Sequence, residues 1–328
     1  MKQVIEYLKF IYDLYDYDLV KIDNYNGENK ILYICKKNNI NRYLLRISFS
    51  KNRIEEDFYA ETEFVHYLFI NGAKVLDVIP SVRNKFVESV KWKNDIVYVS
   101  LFDMLNQILM IDNNIKKINA YDIALKLGNT IGRIHEVSKT INPTYQCVSY
   151  FDIYNKEYIE KLIPDAYKTL KIAVIKRLEE IEKLPVSNSV FGLIHFNLCE
   201  SNYSINYNNE INIFNFDHCM YGWYMFDLAT LWIQGINLYV FEKDYFKRMN
   251  LLIKYFNKIL EEYEKHTKVP EILLERLPLF IDMVLIKNII KTFEESKTNN
   301  KICDYNKIEN EVNALVNNYV YIGENVKY

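Results

Sequence analysis

The chain has 328 residues, 50% of them hydrophobic and 26% charged, with a formal net charge of -2. That length can bury a sizeable core and suits one large domain or two lobes. The near-neutral balance argues against a bulk nucleic-acid or anionic-membrane binder, which needs a basic face. The short basic run from Lys85 to Lys93 is broken by acidic and apolar residues and reads as a solvated surface. In chain order, Met1 to Tyr17 carries Val4, Tyr7, Leu8, Ile11 and Leu14 at helical spacing and predicts an amphipathic helix. Three β-rich runs follow, at Leu19–Ile22, Ile31–Cys35 and Tyr43–Ile47. Polar turns at 24–29 and 36–39 separate them, as in an antiparallel meander. Ile54 to Ile70 predicts a helix with Phe58, Phe64, Val65 and Leu68 on one face, stopped by Asn71-Gly72. Two further strands are expected near Asn84–Val90 and Asp95–Phe102.

Beyond Met104 the pattern turns helical. Tyr121–Val137 is periodic, and Tyr154–Leu184 reads as one or two helices broken near Pro164. A strand-loop-strand block at Leu193–Asp217 interrupts this half. Helices return from Phe226 to the C-terminus, with breaks expected at Pro270 and Pro278. Asn and Lys accumulate over 105–117, which places a boundary there between an N-terminal domain (1–105) and a C-terminal one (106–328). The five cysteines (Cys35, Cys147, Cys199, Cys219, Cys303) are scattered, odd in number and without a C-x-x-C pair, a pattern of free thiols in a reducing compartment. Early acids at Glu6, Asp13 and Asp16 do not match a signal peptide. No run reaches the ~18 apolar residues of a membrane span. A cytoplasmic protein without a nucleic-acid or membrane partner is expected.

The most informative stretch reads Leu193-Ile194-His195-Phe196-Asn197-Leu198-Cys199-Glu200-Ser201-Asn202, then Asn215-Phe216-Asp217, then Phe226-Asp227-Leu228-Ala229. It resembles the aminoglycoside phosphotransferase and choline kinase family, whose catalytic loop reads H-G-D-x-x-x-x-N and whose metal motif reads I-D-F/W-[DE]. The N-terminal strands and inserted helix extend the resemblance over nearly the whole chain. It implies an α+β, bilobal protein-kinase-like fold: a five-stranded antiparallel sheet with one inserted helix, then a mainly helical C-terminal lobe. By position, Asn197 takes the place of the catalytic aspartate, Asn202 matches the metal-binding asparagine, and Asn215 takes the place of the metal-binding aspartate. These departures have physical weight. An amide cannot accept a proton near neutral pH, and losing a general base costs about 10²–10⁴-fold in rate. Mg²⁺ is normally held through one or two carboxylates plus substrate phosphates. Asp217 lies two residues beyond Asn215, so on an extended backbone both side chains would share one side. It would thereby restore a charge, although relatives often carry an acid there anyway.

The resemblance places Arg46, in Leu44-Leu45-Arg46-Ile47, at the phosphate-binding cation, with Glu61 its expected partner and Glu63 the second choice. The 24–29 turn falls on the phosphate-covering loop. Phe102, Asp103 and Met104 fall on the adenine-binding hinge, where backbone groups would meet the base. His195 reads as a brace of the loop more than a proton shuttle, His135 as a packed or capping histidine, and Asp227 as a brace of the site. His195, Cys199, His218 and Cys219 match no familiar zinc spacing. The implied function is transfer of the γ-phosphate of ATP (or GTP), with Mg²⁺, to a hydroxyl of a small molecule. Acids in the helical lobe would suit a cationic acceptor. Phosphoryl transfer rests on positioning and charge neutralisation, so Asn197 and Asn215 also open a second reading, a pseudokinase that binds without turnover. A bare scaffold is the third.

Overall fold

The computed structural model describes residues 2–22, 30–50, 53–104, 107–109, 119–206, 208–298 and 302–324. Its strands are β1 (Asp18–Lys21), β2 (Lys30–Lys37), β3 (Ile40–Phe49), β4 (Val78–Ile79), β5 (Glu88–Trp92), β6 (Asp95–Asp103), β7 (Gln107–Leu109), β8 (Phe191–Ile194), β9 (Tyr203–Asn206), β10 (Ile211–Ile213) and β11 (Met220–Trp223). Its helices are α1 (Lys2–Ile11), α2 (Glu55–Ile70), α3 (Ala120–Ser138), α4 (Tyr150–Ile153), α5 (Lys156–Leu162), α6 (Lys168–Ile181), α7 (Met225–Leu238), α8 (Tyr245–Tyr263), α9 (Glu271–Leu274), α10 (Leu277–Thr298) and α11 (Glu309–Asn317). The α+β class expected from the sequence holds, with an antiparallel sheet in the N-terminal region and a helical C-terminal part. The chain forms two compact units. One contains Met1–Lys116, Thr140–Cys147 and Glu200–Asp217; the other contains Lys117–Lys139, Val148–Cys199 and His218–Tyr328.

The first unit is built on an antiparallel sheet in the order β1-β2-β3-β6-β4, with β5 also paired to β6. The sequence predicts five strands; the sixth is β4, whose two residues are too short to leave a periodic signal. Leu45 and Ile47 of β3 and Val97, Val99 and Leu101 of β6 point to one side and pack against Val4, Leu8 and Ile11 of α1. That helix ends at Ile11 and does not reach Tyr17. Asp13 adopts a left-handed φ of 51°, Leu14 N–H donates to the Lys9 carbonyl at 2.8 Å, and Asp13 N–H donates to the Phe10 carbonyl at 3.4 Å. Those two bonds close the last turn in the Schellman manner. The inserted helix α2 begins where Asp57 accepts the Ile54 N–H at 2.9 Å. It stops at Asn71-Gly72, where Gly72 has a φ of 79° that a side chain would disfavour.

A second small sheet, β10-β9-β7, belongs to the same unit. Its strand β7 lies inside the 105–117 segment read from composition as a boundary; residues 105–106 and 110–117 of that segment lie outside the described residues. Ile213 of β10 receives the Leu76 N–H and donates to the Lys74 carbonyl, which fixes where residues 214–217 begin.

In the second unit, α3 and α8 cross in close contact. A Cβ on Gly128 would lie 2.2 Å from the Ile259 carbonyl oxygen, and one on Gly132 would lie 2.7 Å from that of Tyr263. The loop strand β8 pairs antiparallel with β11, Leu193 opposite Tyr221 and Ile194 opposite Met220; β11 is an addition to the sequence reading. The 154–184 region resolves into α5, a 3-10 turn at Asp165–Tyr167 capped by Pro164, and α6. Pro278 does not break a helix. It sits in the first turn of α10, where its missing N–H has no intrahelical acceptor to lose.

Candidate functional site

In the first unit the pleat decides which side chains meet. Lys30 lies opposite Ser48, Leu32 opposite Arg46, Arg46 opposite Ser100, and Leu44 opposite Phe102. Directly opposed residues share a face, so Lys30, Leu32, Leu44, Arg46 and Phe102 all point away from the α1 side. Leu32, Leu44, Arg46 and Phe102 line a shallow cleft with Phe214 and Asn215. The walls are mainly apolar, and Arg46 and Asn215 supply the polar groups.

Arg46 is almost fully buried, its guanidinium 5.0 Å from the Phe102 ring centre. It donates to Glu61 of α2 at 2.5 Å, so the expected partner is the one met. Glu63, the second choice, instead accepts the backbone N–H groups of Thr144 and Tyr145. Glu61 also takes Arg53, both of whose terminal nitrogens donate to its second oxygen at 3.1 Å. Burial pushes the Glu61 carboxyl up, but the two guanidinium groups hold it below the ordinary glutamate value. Arg53 was not singled out from the sequence, because it precedes the helix and carries no motif.

The residues matched to a metal motif converge in an unforeseen way. Asn215 has a left-handed φ of 66°, so the extended backbone assumed between it and Asp217 is not present. Asn adopts this conformation more readily than most residues, because its short polar side chain bonds locally. The two side chains nevertheless meet, and they meet on Lys30. The Lys30 ammonium donates to Asn215 Oδ1 at 2.6 Å and to Asp217 Oδ2 at 2.5 Å. Lys30 is 9% and Asp217 17% exposed at the side chain. Burial pulls Lys30 below the usual lysine range, while the Asp217 charge pulls it back up. Asn215 Nδ2 donates in turn to Asn202 Oδ1 at 3.0 Å. The ammonium fixes this orientation, since Asn215 must present oxygen to Lys30 and therefore N–H to Asn202. As arranged, this set does not fit Mg²⁺, which takes one or two carboxylates together with phosphates and waters and needs the protein oxygens turned toward it; the three facing oxygens already accept N–H bonds. Among the described residues, no group of three or more His, Cys, Asp or Glu could hold a metal ion.

At the residues expected to form the adenine-binding hinge, Asp103 N–H donates to the Asp77 carbonyl and Met104 N–H to the Arg42 carbonyl. Both amides are therefore engaged within the protein. The Asp103 carboxylate pairs with Arg42 at 2.9 Å. The turn at 24–29, expected to cover phosphate, lies outside the described residues.

The second unit holds the loop after β8. Asp227, at the start of α7, is fully buried and accepts three N–H groups: those of His195 at 2.9 Å and Phe196 at 2.8 Å, and a ring nitrogen of His135 at 3.1 Å. Burial pushes its carboxyl up, but the His135 bond, the neighbouring histidine rings and the His195 backbone N–H hold it below the ordinary aspartate value. His135 bonds the Tyr263 hydroxyl through its other nitrogen at 2.9 Å; it is packed, as its sequence position suggested. His195 is buried and accepts the Asn197 N–H at 3.1 Å. Phe196 occupies the position of the usual loop glycine with a φ of 61°. Such a backbone costs a non-glycine residue about 1–2 kcal/mol, offset here by burial of the ring against Tyr154 and Phe226. Lys287 of α10 donates to the Phe196 carbonyl and, at 3.3 Å, to Asn197 Oδ1. Neither Lys30 nor Lys287 was visible in the sequence, since each lies about ninety residues or more from the residue it meets.

Residues 28–264 match the family model described as "Phosphotransferase enzyme family". An amicoumacin kinase of Bacillus subtilis (strain 168) is 24% identical over 210 residues, 63% of this chain. That match spans 60% of the curated relative's length. Among solved structures, an amicoumacin kinase in complex with AMP-PNP, Ca²⁺ and Ami superposes with a TM-score of 0.80 at 17% identity, covering 98% of this chain and 95% of that one. A microcompartment-associated aminopropanol kinase gives 0.70 at 15% identity, over 98% and 100% of the two chains. The choline kinase of Streptococcus pneumoniae gives 0.62 at 14%, over 97% and 99%. At these identities the structural likenesses establish the fold.

Proposed function

The chain belongs to the phosphotransferase enzyme family, and from that membership we propose that it transfers the γ-phosphate of ATP or GTP to a hydroxyl of a small molecule. The observation that carries this reading is the Arg46–Glu61 pair beneath an apolar cleft. The cleft offers Leu32, Leu44 and Phe102 to a purine base. Three cations, Lys30, Arg46 and Arg53, stand against two carboxylates, Glu61 and Asp217, leaving a positive balance for polyphosphate. Phosphoryl transfer needs such positioning and neutralisation more than covalent chemistry. Asn197 would orient the acceptor hydroxyl as a hydrogen-bond partner, and His195 would brace the loop that carries it. The acceptor class is not set by the fold. Relatives that act on amicoumacin and aminopropanol make amino-bearing alcohols the first acceptors to try.

One observation favours the second reading, a pseudokinase. Asn197 presents an amide where proton acceptance would be useful, and Lys287 already donates to its oxygen. A carboxylate at 197 would be favoured there, because the ammonium stabilises its ionised form. Radiolabelled ATP with a panel of amino alcohols and aminoglycosides separates the two readings. Turnover by the wild type, rising about 10²–10⁴-fold in Asn197→Asp, is the expected result. A wild type inert on every acceptor, with turnover gained only in Asn197→Asp, establishes the pseudokinase and removes the first reading.

A further inference from the structure

We infer that the Lys30 ammonium is the resident cation of this site, standing where a divalent ion would bridge residues 202, 215 and 217, and that the protein engages nucleotide phosphates without a divalent ion of its own. The second half rests on the nucleotide-binding reading above; the first half does not.

The hydrogen-bond directions carry the argument. In a site built for a metal, the oxygens of residues 202, 215 and 217 would all face one cation. Here Asn215 Oδ1 and Asp217 Oδ2 face Lys30 at 2.6 and 2.5 Å, and Asn202 Oδ1 faces an N–H of Asn215. The asparagine is matched to this arrangement and aspartate is not. An aspartate at 215 would have no N–H to give Asn202, and two carboxylates would then stand around a single ammonium. The one formal charge of Asp217 is balanced by the one charge of Lys30, so a divalent ion would add net charge to a neutral, part-buried pair. Lys30 reaches this point from β2, whose register puts it on the same face of the sheet as Arg46. The Asp-to-Asn replacement at 215 and the lysine at 30 are two parts of one exchange, of a divalent ion for a tethered monovalent one.

The test uses Mn²⁺ alone as probe, followed by electron paramagnetic resonance of the free ion. The wild type should show no saturable binding below millimolar Mn²⁺. Lys30→Met, which keeps the length of the side chain and removes its charge, should gain a single site at least tenfold tighter, lost again when Asp217→Asn is added. Lys30→Gln provides the same comparison if the methionine variant fails to fold by circular dichroism. Low-micromolar Mn²⁺ binding by the wild type that Asp217→Asn abolishes, or a folded Lys30 variant that gains no site, overturns the inference. A second arm measures the thermal shift with AMP-PNP in EDTA and in Mn²⁺. Equal shifts for the wild type in both, and a shift confined to Mn²⁺ for Lys30→Met, support metal-free engagement. A wild-type shift abolished by EDTA refutes it. No shift for either protein in either condition refutes the nucleotide reading, while the Mn²⁺ arm still decides whether Lys30 is the resident cation.

Discussion

Asp227 shows how much of the loop's geometry depends on one carboxylate. Its two oxygens serve three N–H donors from two elements, the backbone at 195–196 and the ring of His135 on α3. Asparagine at this position keeps one oxygen and turns an NH₂ toward a donor. Leaving a buried donor unsatisfied costs about 1–3 kcal/mol, so Asp227→Asn should lower the urea midpoint at neutral pH by that equivalent. The pH dependence has a definite sign. Because the folded carboxyl is held below its ordinary value, its contribution is complete above the unfolded aspartate value of about 3.9. It is lost as pH falls through the depressed folded value. The urea midpoints of wild type and Asp227→Asn should therefore differ at neutral pH and converge in acid below about pH 4; a constant gap through that range would show that the carboxylate's charge is not what matters. At this scale the sequence was partly legible. Asp227 reads as a brace because the Asp-Leu-Ala motif marks it, and the family resemblance puts Glu61 ahead of Glu63. Lys30 was not legible, because a lysine closing a polar turn looks like any solvated charge, and its partners lie 185 and 187 residues away.

Among the elements, α3 has the strictest packing requirement. Gly128 and Gly132 are one turn apart on the face that meets α8, and the approach is to backbone, which cannot swing away as a side-chain tip can. This crossing places His135, one turn further along, beside Tyr263 of α8. Gly128→Ala improves helix propensity by up to about 1 kcal/mol. A methyl 2.2 Å from a carbonyl oxygen, however, forces the two helices apart, and overpacking of this kind costs about 1–3 kcal/mol. The steric cost should win, giving a net loss of about 1 kcal/mol or more and a melting temperature lower by a few degrees. A calorimetric scan showing unchanged or raised stability would mean that α3 is free to retreat. The periodicity of 121–137 made the helix itself legible, with ends within about a residue of those observed. The glycine pair carries no signal by itself in the sequence, since small residues four apart reveal a close crossing only once the partner helix is known. Strands β4 and β7 escaped for another reason: each has three residues or fewer, below the length at which alternation can be seen.

At the scale of the molecule, the chain order and the compact units do not coincide. The first unit takes Thr140–Cys147 and Glu200–Asp217 from the later sequence. The 1–105 and 106–328 division drawn from composition does not assign those segments to it. They are structural parts of that unit: β9 pairs with β7, β10 holds Leu76, and Phe216 meets Phe64 edge-on at 5.6 Å between ring centres. A fragment ending at residue 116 would lose all three. It should therefore lack the cooperative thermal transition of the whole chain, as read by circular dichroism; a sharp, reversible melt from that fragment would show that residues 140–147 and 200–217 are dispensable. Fold class was nonetheless readable at the outset, because long periodic segments such as α2 and the β2–β3 meander carry it.

The lysine at position 30 also imposes an order on change in the gene. Asn and Asp codons differ at one base, so an aspartate at 215 is a single step away. Taken first, that step would remove the N–H that Asn202 receives and leave a lone ammonium shared between two acids. Taken after Lys30 has become uncharged, the same step would complete an acidic pair suited to a divalent ion. Position 30 therefore governs the consequence of a substitution 185 residues downstream. The two routes between the same end points therefore pass through different intermediates, one that crowds two acids on an ammonium and one that does not.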